Sequence, residues 1–270
     1  MRRVKFVISY DGRNYRGSQI QPGVPTVQDT FEHALRQVRA YAGRTTFAGR
    51  TDAGVHALGQ VVSADVEWER ELERLSHGLN SVLPRDVRVL ECEFVEPGFN
   101  ARFDVVAREY RYRIVTDHLV TPLMSSSVWA CKCEIDSGLA AAASRSFVGT
   151  HRFGSFASAG LSQSACPGGL ERTVYECDWI QLNDRWFPVR NRSEVYELRV
   201  RANGFLPQMV RNIVRAVVEV GSGNQPLEWI EFLLVSGDRR LLGSPAPPHG
   251  LVLWRVDYEA GPDPNTDCMN

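Results

Sequence analysis

Lysine is almost missing from this 270-residue chain: of its 31 basic residues, only Lys5 and Lys132 are lysines. Genome composition alone can produce such a bias, so it excludes nothing. Other scarcities are more useful. No apolar run approaches the roughly 20 residues of a membrane-spanning helix, which argues against a membrane role. The six cysteines, at 92, 131, 133, 166, 177 and 268, include no C-x-x-C pair, so a disulfide framework is not expected. Cys131 and Cys133 form a C-x-C spaced to face one side of a strand. Zinc sites of the familiar kind need four ligands in paired spacings, so no metal is expected there. The stretch from Met1 to Tyr10 lacks the charged-then-apolar order of a secretion signal. The cytoplasm is therefore the expected compartment.

Net charge is scarce too, at -1, and gives no whole-chain hint of a nucleic-acid partner. Its distribution does. Residues 1–50 carry nine Arg or Lys against three acids, and residues 199–215 carry four arginines and no acid. Basic segments on a neutral chain suit an anionic partner on one face, or simply a solvated surface.

Periodicity then orders the chain. Val4 to Tyr10 alternates like a strand, and Asp11-Gly12 closes it as a turn. Thr26 is placed to cap a helix, with Asp29 beside the exposed amides and Val27, Phe31, Ala34, Leu35 and Val38 on one apolar face. Thr46 to Asp52 runs into a loop at Ala53-Gly54. Gln60–Val66 reads as a strand, Glu69–Leu79 as a helix and Asp86–Val95 as a strand. This β-α-β-β-α-β order is the split βαβ pattern. A second set starts near Val106. In it Tyr110, Tyr112 and Ile114 define an apolar face, and Glu109, Arg111 and Arg113 a wet one. Ser137–Phe147 reads as a helix, and Thr173–Ile180 and Glu194–Val200 as strands. Leu206–Val220 reads as a helix stopped by Gly221, and Leu251–Tyr258 as a closing strand. The fold expected is α+β: two split-βαβ (ferredoxin-like) halves, 1–103 and 104–260, forming one mixed, mainly antiparallel sheet with helices on one side and a central cleft. Ala157–Gly169 reads as a mobile loop and 261–270 as a disordered tail.

The most informative stretch is Gly49-Arg50-Thr51-Asp52-Ala53-Gly54-Val55-His56. On local pattern alone, an Asp before Ala-Gly is a turn residue bonding its own backbone. Between an Arg and a glycine loop it also fits a carboxylate supported by that Arg. G-R-T-D-A-G-V-H-A-x-G-Q-V, Gly49 to Val61, resembles the signature loop of the TruA family of tRNA pseudouridine synthases. Other matches follow in family order. They include Tyr10-Asp11-Gly12 with Gly17 and Gln19, Thr26-Val27-Gln28, Phe99-Asn100-Ala101-Arg102-Phe103, and Arg108-Glu109-Tyr110-Arg111-Tyr112. Further on come Gly149-Thr150-His151-Arg152-Phe153, Arg172-Thr173, Gly204-Phe205-Leu206, Met209-Val210-Arg211-Asn212 and Ala246-Pro247-Pro248.

The resemblance implies a cofactor-free isomerase that detaches uracil from its ribose, turns it and rejoins it through carbon. The implied substrate is tRNA at its anticodon stem-loop, and the implied assembly a homodimer with the tRNA lying across both subunits. Asp52 would be the catalytic carboxylate, attacking the sugar carbon or removing a sugar proton. Arg50 would fill the space of an extruded base, or else touch a phosphate. Tyr110 would pack against the target base, although its strand pattern equally suits a core aromatic. Arg211, on the polar face of its helix with Gln208, Asn212 and Arg215, would pair with Asp52, its forked guanidinium holding both carboxylate oxygens. His56 and His151 read as polar loop residues.

Three positions depart from the family pattern. Ser18 stands at a usual Trp, Arg152 at a usual Asp, and Arg215 at a usual small residue. A non-catalytic RNA-binding or RNA-folding protein on the same scaffold would not need Asp52. A hydrolase using paired carboxylates would need a second acid, and Asp65 and Asp104 lie in ordinary contexts.

Overall fold

A computed structural model describes residues 1–116, 120–161, 169–182 and 194–258. The opening alternation forms β1 (Arg2–Tyr10), with Val4, Phe6 and Ile8 fully buried on one face. Thr26 lies in extended backbone and its hydroxyl accepts from Asp29 N, so α1 (Val27–Gln37) starts at the expected cap. β2 (Thr46–Phe47), β3 (His56–Val66), α2 (Leu72–Val82) and β4 (Val87–Phe94) complete the first set. The second set comprises β5 (Ala107–Val115), β6 (Trp129–Ala130), α3 (Ser137–Arg145), β7 (Gly149–Arg152), β8 (Glu171–Leu182) and β9 (Val195–Ala202). It ends with α4 (Met209–Gly221), α5 (Glu228–Ser236) and β10 (Leu251–Asp257).

The ten strands among the described residues join one mixed, mainly antiparallel sheet, in the order β4-β1-β3-β10-β5-β9-β8-β7, with β2 on β3 and β6 on β5. Within each set the main strands follow one pattern: β4-β1-β3 with β2 beyond, and β10-β5-β9-β8. The sets meet where β10 runs parallel to β3, at Val252↔His56 and Leu253↔Ala57, and antiparallel to β5. β3 therefore shares one edge between two partners. β2 takes only the far end, at Thr46↔Ser63 and Phe47↔Val62, and β10 takes the near end.

The helices lie on one side. A single core joins Phe6, Val62, Tyr112, Leu198, Val200 and Leu253 of the sheet to Phe31, Leu35, Leu75, Ala140, Ile213 and Val217 of the helices. The opposite face is not the simple wet surface that the alternation suggests. Glu109 and Glu197 are 5% and 1% exposed. Glu109 meets Arg111 at 2.7 Å and Arg255 at 2.9 Å. Glu197 meets Arg199 at 2.8 Å, Arg113 at 3.1 Å and Arg111 at 3.6 Å. Arg111 and Arg199 stand directly opposite each other in the ladder, a like-charge pair that destabilises unless anions lie between. The two glutamates supply them.

Several boundaries move. Gln208 adopts a left-handed conformation (φ 63°), so α4 starts at Met209 rather than Leu206. Gly221 is its last helical residue and Ser222 caps it, so glycine does not stop it. α5 has no counterpart in the sequence reading: Glu-Trp-Ile-Glu-Phe-Leu-Leu-Val-Ser is apolar nearly all round and shows no stripe, and Phe232 and Val235 are exposed. Cys131 and Cys133 follow β6 instead of facing one side of a strand, and they are joined as a disulfide. Most of the expected loop at Ala157–Gly169, and the whole tail 261–270, lie outside the described residues.

The buried glutamate makes a testable point. Glu197→Gln keeps the shape but removes the buried anion that Arg111, Arg113 and Arg199 share. It should lower the unfolding free energy by about 1.5–3 kcal/mol in urea titrations. Glu93→Gln, at the exposed pair with Lys5, should change it by less than about 1 kcal/mol.

Candidate active site

The Asp52 loop begins where β2 leaves the sheet. Ala48 N still donates to Val61 O at 2.8 Å. At the next step a side chain replaces the ladder: the fully buried Gln60 accepts from Gly49 N at 3.2 Å and donates to Gly49 O at 2.8 Å. Gln60 also donates to the Tyr10 hydroxyl at 3.3 Å, and that hydroxyl lies 2.8 Å from Thr51 Oγ1. Burial pushes the Tyr10 phenol up to about 12, so it stays a neutral hydrogen-bonding group.

The segment around Gly17 closes on the loop from the other side. Ser18 N donates to Thr51 O at 3.1 Å, and the Ser18 hydroxyl, 1% exposed, accepts from Thr51 N at 2.9 Å. Gly17 has φ 102°, and a Cβ there would stand 2.9 Å from Thr51 O. Gly12 is tighter still, since its Cβ would fall 2.0 Å from Val55 O. Val55 N donates to Asp52 O at 3.1 Å and closes the turn. His56 is not a loop residue. It opens β3, is 9% exposed, and its Nδ1 lies 3.2 Å from both Gly12 N and Asp11 Oδ1, with Nε2 2.9 Å from Ser126 O.

Asp52 is left partly open, its side chain 36% exposed. Arg211 of α4 reaches it: Nη1 lies 3.3 Å from Asp52 Oδ2. The expected pair is present, but the fork does not hold both carboxylate oxygens. Arg211 Nε donates instead to Ala246 O at 2.7 Å, and Ala246 N donates back to Arg211 O at 3.2 Å. One guanidinium thus ties α4, the Asp52 loop and the approach to β10 together. Arg215 is turned away from the site, donating to Ser244 O at 3.2 Å, pairing with Glu219 at 3.4 Å and lying over Trp129. Glu219 offsets the positive charge that Arg215 brings near Arg211.

Tyr110 is a core residue that lies against the start of the Asp52 loop. It is 6% exposed and stands edge-on to Phe205, with ring centroids 5.1 Å apart. Its hydroxyl would be 3.7 Å from a Cβ at Gly49, and it makes no hydrogen bond among the described residues. Burial, then the neighbouring Tyr10, pushes this hydroxyl far above the usual phenol range, with the Asp52 charge adding to the effect. Arg50 is exposed and has no ion-pair partner among the described residues. Burial of part of its side chain, then the nearby Arg102, lowers its pKa. His151 lies on β7, its Nε2 3.1 Å from Val148 O, and no contact joins it to Asp52. No group of three or more His, Cys, Asp or Glu suited to a metal ion occurs among the described residues.

A family model described as tRNA pseudouridine synthase matches residues 6–104 and 143–259, which include the Asp52 loop and Arg211. The chain belongs to the tRNA pseudouridine synthase family. It is 38% identical over 259 residues to tRNA pseudouridine synthase A of Bacillus pumilus (strain SAFR-032), covering 95% of this chain and 99% of that one. It is 35% identical over 259 residues to the protein of the same name from Bacillus subtilis (strain 168), with the same coverage. Against that from Pasteurella multocida (strain Pm70) it is 37% identical over 256 residues, covering 95% of this chain and 92% of that one.

Within this synthase-family chain, the first departure from the family pattern has a structural use. Sequence reasoning treated Ser18 as the loss of an aromatic; the structure shows a buried acceptor for the amide next to Asp52. The signal was available only as a small polar residue beside Gly17. Gln60 likewise stood inside the signature loop with no role assigned.

Two outcomes test this geometry. Ser18→Ala strands the buried Thr51 amide; the single-turnover rate should fall about tenfold, equivalent to about 1.4 kcal/mol, while RNA affinity stays within twofold. Arg211→Lys keeps the charge but cannot span Asp52 and Ala246 O together, and it should lose most of the turnover with little change in affinity. A near-normal rate for Arg211→Lys would remove the case for the Asp52–Arg211 pair.

Proposed function

We propose that this chain converts uridine to pseudouridine in tRNA, with Asp52 as its catalytic carboxylate and the anticodon stem-loop as its target. The observation that carries this reading is the Asp52–Arg211 contact, made between the Asp52 loop and α4, both within the family-matched residues. The isomerisation breaks the bond from a base nitrogen to the ribose and makes one from a base carbon. No atom is added and none is lost, so the chemistry calls for a positioned carboxylate and a pocket that holds the detached base. Asp52 is open enough to meet a ribose and is oriented from one side only. As nucleophile it would bond the sugar carbon; as base it would take a sugar proton. Either role requires the target nucleotide to leave its stack first.

The neighbouring side chains fit that sequence of events. Arg50, two residues before Asp52 and without a protein partner among the described residues, is placed to occupy the gap left by an extruded base. Tyr110 offers a ring edge and a protonated hydroxyl at the floor of the site, next to Gly49. Arg211 keeps the carboxylate in position as the base turns. A homodimer with tRNA lying across both subunits is part of the same proposal, since a 30.3 kDa chain with net charge -1 gains basic surface by pairing. No helix among the described residues is long and apolar enough to cross a membrane, and we place the protein in the cytoplasm with its tRNA substrate.

Asp52→Ala should abolish pseudouridine formation on an unmodified tRNA transcript while leaving tRNA affinity within about tenfold, or 1.4 kcal/mol, of wild type. Base-resolved detection of pseudouridine on the wild-type product reports the position in the same experiment. Substantial turnover by Asp52→Ala would overturn the assignment.

A further inference from the structure

Phe103 is 73% exposed, yet its backbone sits in a turn closed by side-chain hydrogen bonds. Asn100 Oδ1 accepts from Arg102 N at 2.9 Å and from Phe103 N at 3.3 Å. The Asp104 carboxylate returns to Asn100 N at 2.7 Å. Between them Ala101 is fully buried; its N–H donates to Ser63 Oγ at 3.1 Å, and its carbonyl accepts from the Tyr258 hydroxyl at 2.7 Å. The turn is thus a rigid mount that holds an aromatic ring out in water.

A single exposed apolar side chain is ordinary. What distinguishes Phe103 is its surroundings. The Arg102 guanidinium carbon lies 5.6 Å from the ring centroid. Arg102 is in electrostatic reach of Arg50, two residues from Asp52, and of Arg108, whose Nε donates to Ala48 O at 3.0 Å at the root of the Asp52 loop. Arg50 and Arg102 have no carboxylate partner among the described residues, and the one acid in the turn, Asp104, is engaged by Asn100 N. A protein partner would meet a patch dominated by cations, whereas the centres of protein interfaces are depleted in charge. Unpaired nucleic acid needs this combination: a π-face for the base and guanidiniums for the phosphates on either side.

We propose that Phe103 and Arg102, beside Arg50, form a stacking subsite for an unpaired base that neighbours the target uridine in the RNA. The base lies on the Phe103 ring, and Arg102 takes the phosphate between it and the nucleotide at Asp52, leaving Arg50 to fill the gap of the extruded base. The turn is already ordered, so little conformational entropy is lost on binding. This subsite rests on the RNA-modifying reading above and deepens it: it makes the enzyme sensitive to an unpaired base beside the target, and not only to the duplex.

The test uses the full chain and two probes, an unmodified tRNA transcript and a fully paired RNA duplex. Phe103→Ala and Phe103→Leu should each weaken tRNA binding about tenfold, and Phe103→Trp should stay near wild type, with duplex affinity unchanged in all three. Arg102→Ala should lower the slope of log affinity against log salt by about one. Leu binding as well as Phe, an equal loss on the duplex, or tRNA affinity within twofold of wild type for Phe103→Ala would each overturn the subsite. So would a Phe103→Ala variant whose only change is a smaller sedimenting species, since the ring would then belong to a contact between copies. Pseudouridine formation by the wild type is scored separately. If none forms but Phe103→Ala still costs tenfold in tRNA binding, the catalytic reading falls and the subsite stands.

Discussion

The arrangement of the site depends on one competition, for the edge of β3. That strand cannot be paired along one edge by both β2 and β10, and the structure divides it between them. β2 is cut to Thr46–Phe47, and the chain that would have continued it is released as the loop carrying Asp52. The release is controlled rather than abrupt. Gln60 satisfies Gly49 with its own amide, so one more step of ladder is replaced by a side chain and neither backbone group of Gly49 is left without a partner. Ser18, Tyr10 and Gly12 then hold the loop from its other side. A flexible loop could not present a carboxylate at a fixed distance from a helix that belongs to the opposite half of the sheet.

Charge is arranged with the same economy. The basic segment at 199–215 suggested an anionic partner, but most of it is consumed internally. Arg199 is held by Glu197, Arg201 by Asp257 and Glu176, and Arg215 by Glu219. Only Arg211 of that group faces the Asp52 loop. In the first fifty residues Arg3, Lys5, Arg13 and Arg36 have acidic partners, whereas Arg2, Arg16, Arg39, Arg44 and Arg50 have no ion pair among the described residues. On the helix-free face Glu109 and Glu197 neutralise the arginines around them, whereas Arg50, two residues from Asp52, keeps no ion-pair partner among the described residues. Linear charge density identified the right kind of partner from residues that are mostly not available to it.

Much of the fold was legible because its signals are local. The Thr26 cap, the buried alternation of β1 and the stripe of α4 each need only a few neighbouring residues. The family motifs singled out Asp52, Arg50, Tyr110 and Arg211 together, which local pattern alone would not have done for a turn-like Asp or a core-like Tyr. What stayed hidden depends on distant partners. Glu109 alternates with Tyr110 and so reads as solvent-facing, but Arg255 arrives from another strand and buries it. The Arg211 fork was expected to close on Asp52, and the competing acceptor, Ala246 O, belongs to a segment that comes beside it only in the folded chain. α5 was missed for the opposite reason: with apolar residues nearly all round, it carries no periodic signal to read.

The shared edge also sets an order of events in time. Arg211 and Asp52 lie 159 residues apart, and the strand that brings the two halves together, Leu251–Asp257, is the last one in the sheet to emerge during synthesis. Contacts of such long sequence separation form late, because the loop between them must be closed before the contact rewards it. A ribosome-bound chain can build β1, α1, β3, α2 and β4 as a local unit and still lack the guanidinium and the carbonyl that fix its carboxylate. Assembly of the site is thereby deferred until Leu251–Asp257 has been made, so a chain interrupted before it carries the loop without its opposing wall.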